Sequence, residues 1–475
     1  MSNKHPIALS ICFMTEFWER YGFYISQGLI TLLMIKVYGL SESNSFALAG
    51  TFVGLVYTTS IVGGLIADKL IGHYRSTLLG EWLLIIGFIS LGYGSSIKSL
   101  ILLYLAMALI AVGTGLVKSN VSSFLGHFYG VKDPKRDMGF SIFYVGINLG
   151  SLVGGFIAGY LSQYFGWSVP FYTAAIGAAV GLYTIFHGVR KYKLDFESGT
   201  GGATALNLWI SVGITLTTVA FCVYVLYSSQ VSNIVFTVIS FLCVFLLFQT
   251  ALKYPSHAKR CVAYFILLVV SVVFWAIYFQ LFTSMVMLIE KLVDHAMLGI
   301  TLPTASFFTI ESFGVIVLGG VVGKFWQVMA AKGKPVHDGT KFAIAMIIMT
   351  IAFASFAMIV STHNPAVLIS GYVIVLLYFG VALSELSLSP IGLSVSNKLA
   401  PPNSRGLFMG MWMISLGLGG KLSGMLAGIA TVSEAASTLE VYQVYGHALW
   451  VFTGISFGAL VLSVVAIPFL KKLVK

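Results

Sequence analysis

Charge is what this 475-residue chain has least of: 9% of its residues are Asp, Glu, Lys or Arg, and the acids (16) are scarcer than the bases (27). With 58% of residues hydrophobic and a mean hydropathy of +0.95, a soluble globule of this length is excluded. Cysteine is also sparse. Cys12, Cys222, Cys243 and Cys261 lie in or at the edge of apolar segments without metal-ligand spacing, and read as small core residues. No loop carries metal-spaced histidines or a paired catalytic motif, and the loops are too short for a separate domain. Both points argue against an enzyme, and no motif asks for a cofactor or a metal. The ten-residue alternation of a membrane β-barrel is missing as well. No cleavable signal is apparent, because the first apolar segment carries Glu16, Glu19 and Arg20, which an ordinary signal core would not tolerate.

What is present is a series of apolar runs, each of roughly 18 residues or more and therefore readable as a transmembrane helix. They fall at about 6–34, 46–68, 77–97, 100–128, 138–165 and 170–189, then 205–228 and 232–252, then 261–290, 301–331, 341–361, 365–397, 405–431 and 441–470. The expected fold is an all-α polytopic membrane protein of fourteen helices, read as six, two and six. Its expected domains are an N-terminal bundle (1–190), a linker with two extra helices (191–260) and a C-terminal bundle (261–475). The linker opens on a polar stretch, Arg190 to Ala203, that contains Ser198-Gly199-Thr200-Gly201-Gly202.

Basic residues near helix ends set orientation. With the N-terminus inside, inner connections hold 21 of the 27 Lys and Arg, from Lys4 to Lys475, and outer connections hold 3, namely Lys36, Lys98 and Lys291. Arg20, Lys118 and Lys421 remain within helices. Both termini are therefore expected in the cytoplasm. The net charge of +11 is topology, not a nucleic-acid footprint. Two six-helix halves are the pattern of transporters with a midplane site.

Charges inside the spans are the functional candidates, since each centred charge costs at least roughly 2.5–3.5 kcal/mol by insertion scales. Glu16, Glu19 and Arg20 share one helical face. At about 1.5 Å per residue, Glu16 lies roughly 14 Å and Arg20 roughly 20 Å above the inner side, with Lys118 roughly 15 Å deep. Two acids and two bases thus meet at one level. Glu385 lies roughly 18 Å deep, and Glu311 at a similar depth. Burial favours the neutral form of such a carboxyl and a nearby cation favours the charged form, so a balanced group can take up and release a proton. Glu385 in Ala382-Leu383-Ser384-Glu385-Leu386 needs a cation or a proton, and a substrate amine would serve. Arg20 or Lys118 would serve a substrate carboxylate. Opposite poles in separate halves fit a zwitterion, with Tyr24, Tyr57, Trp275 and Trp412 available to line the space between. The motif from Gly64 to Arg75 closes the second helix, and its Asp68 and Arg75 read as a conformational latch.

Five motifs, in order, resemble those of the proton-dependent oligopeptide transporters, a branch of the major facilitator superfamily. They are Glu16-x-x-Glu19-Arg20 with Tyr24, Gly113 to Ser122, Phe143 to Gly150, Ser384 to Leu393 and Gly406 to Trp412. The resemblance covers both halves, and bacterial members carry two extra helices between them. It implies the major facilitator fold and import of di- and tripeptides driven by protons, by alternating access. It also implies proton coupling by Glu16 and Glu19 with Arg20 and Lys118. Arg20 and Lys118 would hold the peptide carboxylate, and Asn148 and Glu385 the peptide backbone and amino end. Tyr24, Tyr57 and Trp412 would shape the pocket. A monomer embedded in the cytoplasmic membrane is the expected working unit.

Three positions depart from the family pattern. Phe23 replaces a tyrosine, Ser119 replaces a proline, and Phe279 stands where many members place a glutamate. Glu311 falls where the family has an asparagine near the peptide amino end. It is expected either to add a second-half acid for coupling and substrate binding or to sit as a neutral, hydrogen-bonded acid. The competing readings are a carrier that exports drugs or sugars, with merely structural charges, and a receptor or scaffold that moves nothing.

Overall fold

The structure, a computed structural model, describes residues 5–130, 133, 135–194, 204–433 and 435–473. The Ser198–Gly202 stretch of the linker, and Lys4, Lys132 and Lys475 of the charge count, lie outside the described residues. Among the described residues the regular elements are helices, apart from two-residue strands between some of them. Among the described residues, twelve stretches are long and apolar enough to cross a bilayer. One of them, 42–97, holds two helices: α2 (Glu42–Ile66) and α3 (Gly72–Ile97), joined by a wide helical turn at Ala67–Ile71. Gly72 takes φ 79° at that joint, a left-handed conformation open to glycine without strain. Helix α1 (Ile7–Lys36) is not among the twelve, because its three central charges leave it less apolar than the rest.

The helices sort into two compact units. The first comprises residues 1–40 and 55–228. In it α1 packs against α5 (Arg136–Phe165), α6 (Val169–Lys191) and α4 (Leu100–His127), while α3 packs against α4 and α6. Small residues permit these approaches, as is usual where lipid offers no hydrophobic drive for helix association. A Cβ added to Gly154 on α5 would come 2.5 Å from the Tyr21 carbonyl on α1. Helix α7 (Ala205–Tyr227) lies on α4 and on the wide turn, where Asn207 Nδ2 donates to the Leu70 carbonyl at 3.3 Å.

The second unit comprises residues 41–54 and 229–475. Its helices are α8 (Ser229–Lys253), α9 (Ala258–Tyr278), α10 (Ser284–Leu292), α11 (Thr309–Ala331), α12 (Asp338–Thr362), α13 (Gly371–Leu399), α14 (Arg405–Ala427) and α15 (Thr438–Leu473). Helix α9 packs on α14 and α15, α12 on α13 and α15, α11 on α13, and α8 on α9 and α14. The start of α2 joins this unit by backbone-to-backbone contact: a Cβ at Gly50 would lie 2.7 Å from the Gly420 carbonyl and 2.7 Å from Gly424 Cα. Beside it, the Lys421 ammonium donates to Ser232 Oγ at 2.8 Å and Thr51 Oγ1 at 3.2 Å. Lys291 on α10 pairs with Glu42 at 2.5 Å.

Three boundaries differ from those read in the sequence. The 261–290 run is divided by a 3₁₀ turn at Phe279–Phe282, so that α10 starts afresh at Ser284. The 301–331 run begins its α-helix only at Thr309. Residues 296–301 fold into an antiparallel strand pair whose turn puts Leu298 and Gly299 at positive φ. The 365–397 run begins its helix at Gly371, because Ile369 and Ser370 pair with Val293 and Asp294.

The glycine contact between α2 and α14 yields a stability test. Gly424→Leu is expected to lower stability by about 1–3 kcal/mol through overpacking, read as a fall in the unfolding temperature of the purified protein. Gly410→Leu on the same helix meets open space and is expected to leave that temperature unchanged.

Candidate functional site

In the first unit the site is built on the middle of α1. Arg20 there is 2% exposed, and its guanidinium is held two-pronged by the neighbouring Glu19: Nη2 donates to Oε1 at 2.6 Å and Nε donates to Oε2. Planar two-point pairing suits arginine and carboxylate alike. Glu16, one turn earlier, approaches Arg20 Nε at 3.6 Å. The helix period therefore brings the three groups together as expected, but the tight pair is with the adjacent residue. From α4, the Thr114 hydroxyl donates to Glu19 Oε1 at 3.1 Å and ties the pair to a second helix. The remaining oxygen of Glu16, Oε2, is buried without a hydrogen-bond partner among the described residues.

Lys118 lies one helical turn past Thr114 on α4. Its ammonium stands 4.2 Å from the centroid of the Tyr57 ring, a cation–π contact that joins two expected site residues. Tyr24 packs edge-on against Phe23 at 5.3 Å. Asn148 on α5 donates from Nδ2 to the Tyr144 carbonyl of its own helix at 3.0 Å. Where α2 passes into α3, Asp68 Oδ1 lies 3.7 Å from His73 Nε2, and His73 Nδ1 meets Asn120 Oδ1 at 3.0 Å. Asn120 Nδ2 also donates to the Gly63 carbonyl at 3.2 Å, so the latch region binds α2, α3 and α4 together. Arg75, three residues after Gly72, belongs to the first turn of α3.

In the second unit Glu311 and Glu385 converge. Glu311 occupies the first turn of α11 and is 3% exposed. It comes within hydrogen-bonding reach of Glu385 on α13, of the Tyr278 hydroxyl on α9 and of Ser312. A hydrogen bond between two carboxyl groups requires a proton on one of them. Trp412 on α14 is buried, its ring filling the place a side chain at Gly392 would take, with Phe342 edge-on at 6.1 Å.

Comparison with known proteins settles the relationship. The POT family profile matches residues 74–445. The chain belongs to the POT family. It is 30% identical over 451 residues to dipeptide and tripeptide permease B of Photorhabdus luminescens, covering 93% of this chain and 92% of the relative. It is 29% identical over 449 residues to dipeptide and tripeptide permease A of Escherichia coli strain K12, covering 92% and 88%. Among solved structures it is similar to a peptide transporter POT in complex with sulfate, with a TM-score of 0.86, 28% identity and coverage of 99% of this chain and 96% of that one. A POT family transporter in complex with 5-aminolevulinic acid gives a TM-score of 0.85, 25% identity and coverage of 99% and 97%.

The departures from the POT pattern now have surroundings. The Phe23 ring lies 4.7 Å from the Arg20 guanidinium carbon, so the missing hydroxyl leaves an aromatic face under the cation. Phe279 is buried, stacked at 5.6 Å on Trp275. Sequence reasoning missed Thr114 as a partner of Glu19, Tyr278 as a partner of Glu311, and Glu81, a fully buried acid on α3. Only Glu81 carried a readable signal, a carboxyl inside an apolar run.

Removing one partner of a buried ion pair strands the other. Glu19→Gln is therefore expected to cost about 3 kcal/mol of stability, and Arg20→Met added to it to recover part of that loss. Unfolding temperatures of the two variants check this; a double variant no more stable than the single one contradicts it.

Proposed function

We propose that this POT transporter is a proton-coupled symporter that imports di- and tripeptides across the inner membrane by alternating access. The observation that carries the reading is the Arg20–Glu19 pair held by Thr114. A peptide carboxylate offers Arg20 the same two-point geometry as Glu19 and competes for it. Glu19, once displaced, becomes a buried carboxylate without its cation, a state that a proton relieves. Substrate capture and proton uptake are thereby linked. Glu16 shares in this balance, and Lys118 adds a second cation for the carboxylate.

At the other end of the peptide, Glu311 and Glu385 receive the amino group, which replaces the proton they share. Glu311 thus serves both substrate binding and coupling. Asn148 reaches the peptide backbone, Tyr24 and Tyr57 border the pocket, and Trp412 backs its wall. Asp68 and Arg75 act as a latch on the inner side. The relatives named as dipeptide and tripeptide permeases support this choice of substrate. Proton coupling is a property of the family.

The finer organisation is part of the same proposal. Counting α1, and counting 42–97 as two helices, gives fourteen crossings, with α10 as a short outer continuation of α9. The working division is 1–190, 191–260 and 261–475. Both termini face the cytoplasm, as the basic inner connections favour, and a single chain in the bilayer suffices for transport.

Labelled dipeptide accumulation in energised cells tests the proposal. Uptake is expected to be competed by unlabelled di- and tripeptides and abolished by an uncoupler. A drug or sugar exporter would lower cell content instead, and a receptor would give no flux. Arg20→Lys loses the two-point fork and is expected to reduce uptake about ten-fold or more. Glu311→Gln is expected to change the pH dependence of uptake and the preference for cationic side chains; if both stay as in the parent, Glu311 has no part in coupling.

A further inference from the structure

We propose that Glu81 on α3 is a further proton-binding residue of the transport cycle, acting with Glu16 and Glu19 of α1; the inference rests on the proton-coupled reading above. Glu81 is 0% exposed, and neither of its carboxyl oxygens has a hydrogen-bond partner among the described residues. Glu19, by contrast, is bonded to Arg20 and Thr114. Nine residues past the start of its helix, Glu81 lies roughly 14 Å along α3, and Glu16 lies roughly 14 Å along α1.

The neighbourhood is cut to fit a carboxyl. On α6 the facing residue is Gly181, where an added Cβ would stand 3.3 Å from Glu81 Oε1 and 3.5 Å from Oε2. On α4, Gly113, Leu116 and Val117 pack against the adjacent Gly80 and bring no charge. From α1, Glu19, Glu16 and Arg20 act on Glu81 electrostatically. A carboxylate with no hydrogen bond and no cation of its own is strongly disfavoured in such a place, whereas the protonated acid is neutral.

Its proton then follows the charge on α1. While Arg20 is paired with Glu19 and Glu16, its positive charge offsets theirs. When a peptide carboxylate takes Arg20, and as long as Glu19 has not taken a proton of its own, that offset is shared with the substrate, the field at Glu81 becomes more negative, and the proton is held. Once the peptide leaves and Arg20 pairs again, ionisation becomes easier. The O–H bond of Glu81 breaks, its electron pair stays on the carboxylate, and the proton passes to water on the inner side. Proton and peptide are thus held together and released together, and reciprocity requires that the proton on Glu81 tighten peptide binding.

Dipeptide affinity of the purified protein, measured from acidic to alkaline pH, tests this without transport. The parent is expected to bind about five-fold or more weakly at alkaline than at acidic pH. Glu81→Gln, fixed in a neutral form, is expected to lose the share of that dependence that Glu81 adds to that of Glu19, and Glu81→Asp to keep it. Infrared difference spectra on adding dipeptide supply a second reading. Of the carboxylic-acid carbonyl bands expected in the parent, one is expected to be displaced in Glu81→Asp and missing in Glu81→Gln. A parent that binds no dipeptide overturns the proton-coupled reading and this inference with it. A parent that binds while Glu81→Gln keeps the full pH dependence, or keeps the band, overturns the inference alone, as does Glu81→Gln losing dipeptide binding at every pH.

Discussion

A guanidinium cannot sit in the middle of a bilayer alone. Arg20 is 2% exposed on α1, and the surrounding structure answers that one constraint. Glu19 neutralises it in plane, Thr114 fixes Glu19 from α4, Glu16 adds a second acid, and Phe23 offers a ring face. Breaking such a pair without replacing a partner is costly. Any group able to free Arg20 must therefore bring a negative charge of its own. In the proposed mechanism a peptide carboxylate does so, and the acid it displaces is relieved by a proton. In the proposed cycle, the pair that makes the helix tolerable in the membrane is also the device that makes transport depend on protons.

The second unit handles its charge differently. Glu311 and Glu385 have each other and the Tyr278 hydroxyl within reach, whereas Arg20 supplies a cation in the first unit. In the proposed function an arriving amine pairs with these acids, as a carboxylate takes the place of Glu19. Phe279, stacked on Trp275, places an aromatic ring where the family resemblance leads one to expect an acid. This chain instead has Glu311 on α11 and Glu81 on α3.

Much of this was legible in the sequence, for physical reasons. Length and apolarity marked the spans, because bilayer thickness sets both. The α1 cluster was legible because charge inside an apolar run is expensive and helix period puts Glu16, Glu19 and Arg20 on one face. Other features depend on residues far apart in the chain. Glu311 on α11 and Glu385 on α13 are separated in the chain by the whole of α12, and only packing of α11 against α13 brings them together. The late start of α13 follows from Ile369 and Ser370 pairing with Val293 and Asp294, which no local pattern announces. Asp68 meets His73 because a wide turn and Gly72 interrupt the helix period. Glu81 is a different case. Its signal was present, but a single acid with no base three or four residues away offers no pairing to notice.

The central claim is that peptide and proton move together because a carboxylate substrate frees an acid on α1. Purified protein in sealed vesicles, loaded with a pH-sensitive dye and given an outside dipeptide with no imposed gradient, tests it directly. Dipeptide addition is expected to acidify the lumen in the parent protein, and an amidated dipeptide lacking the carboxylate to acidify it far less. Dipeptide entry without acidification, or equal acidification by the amidated peptide, would contradict the account.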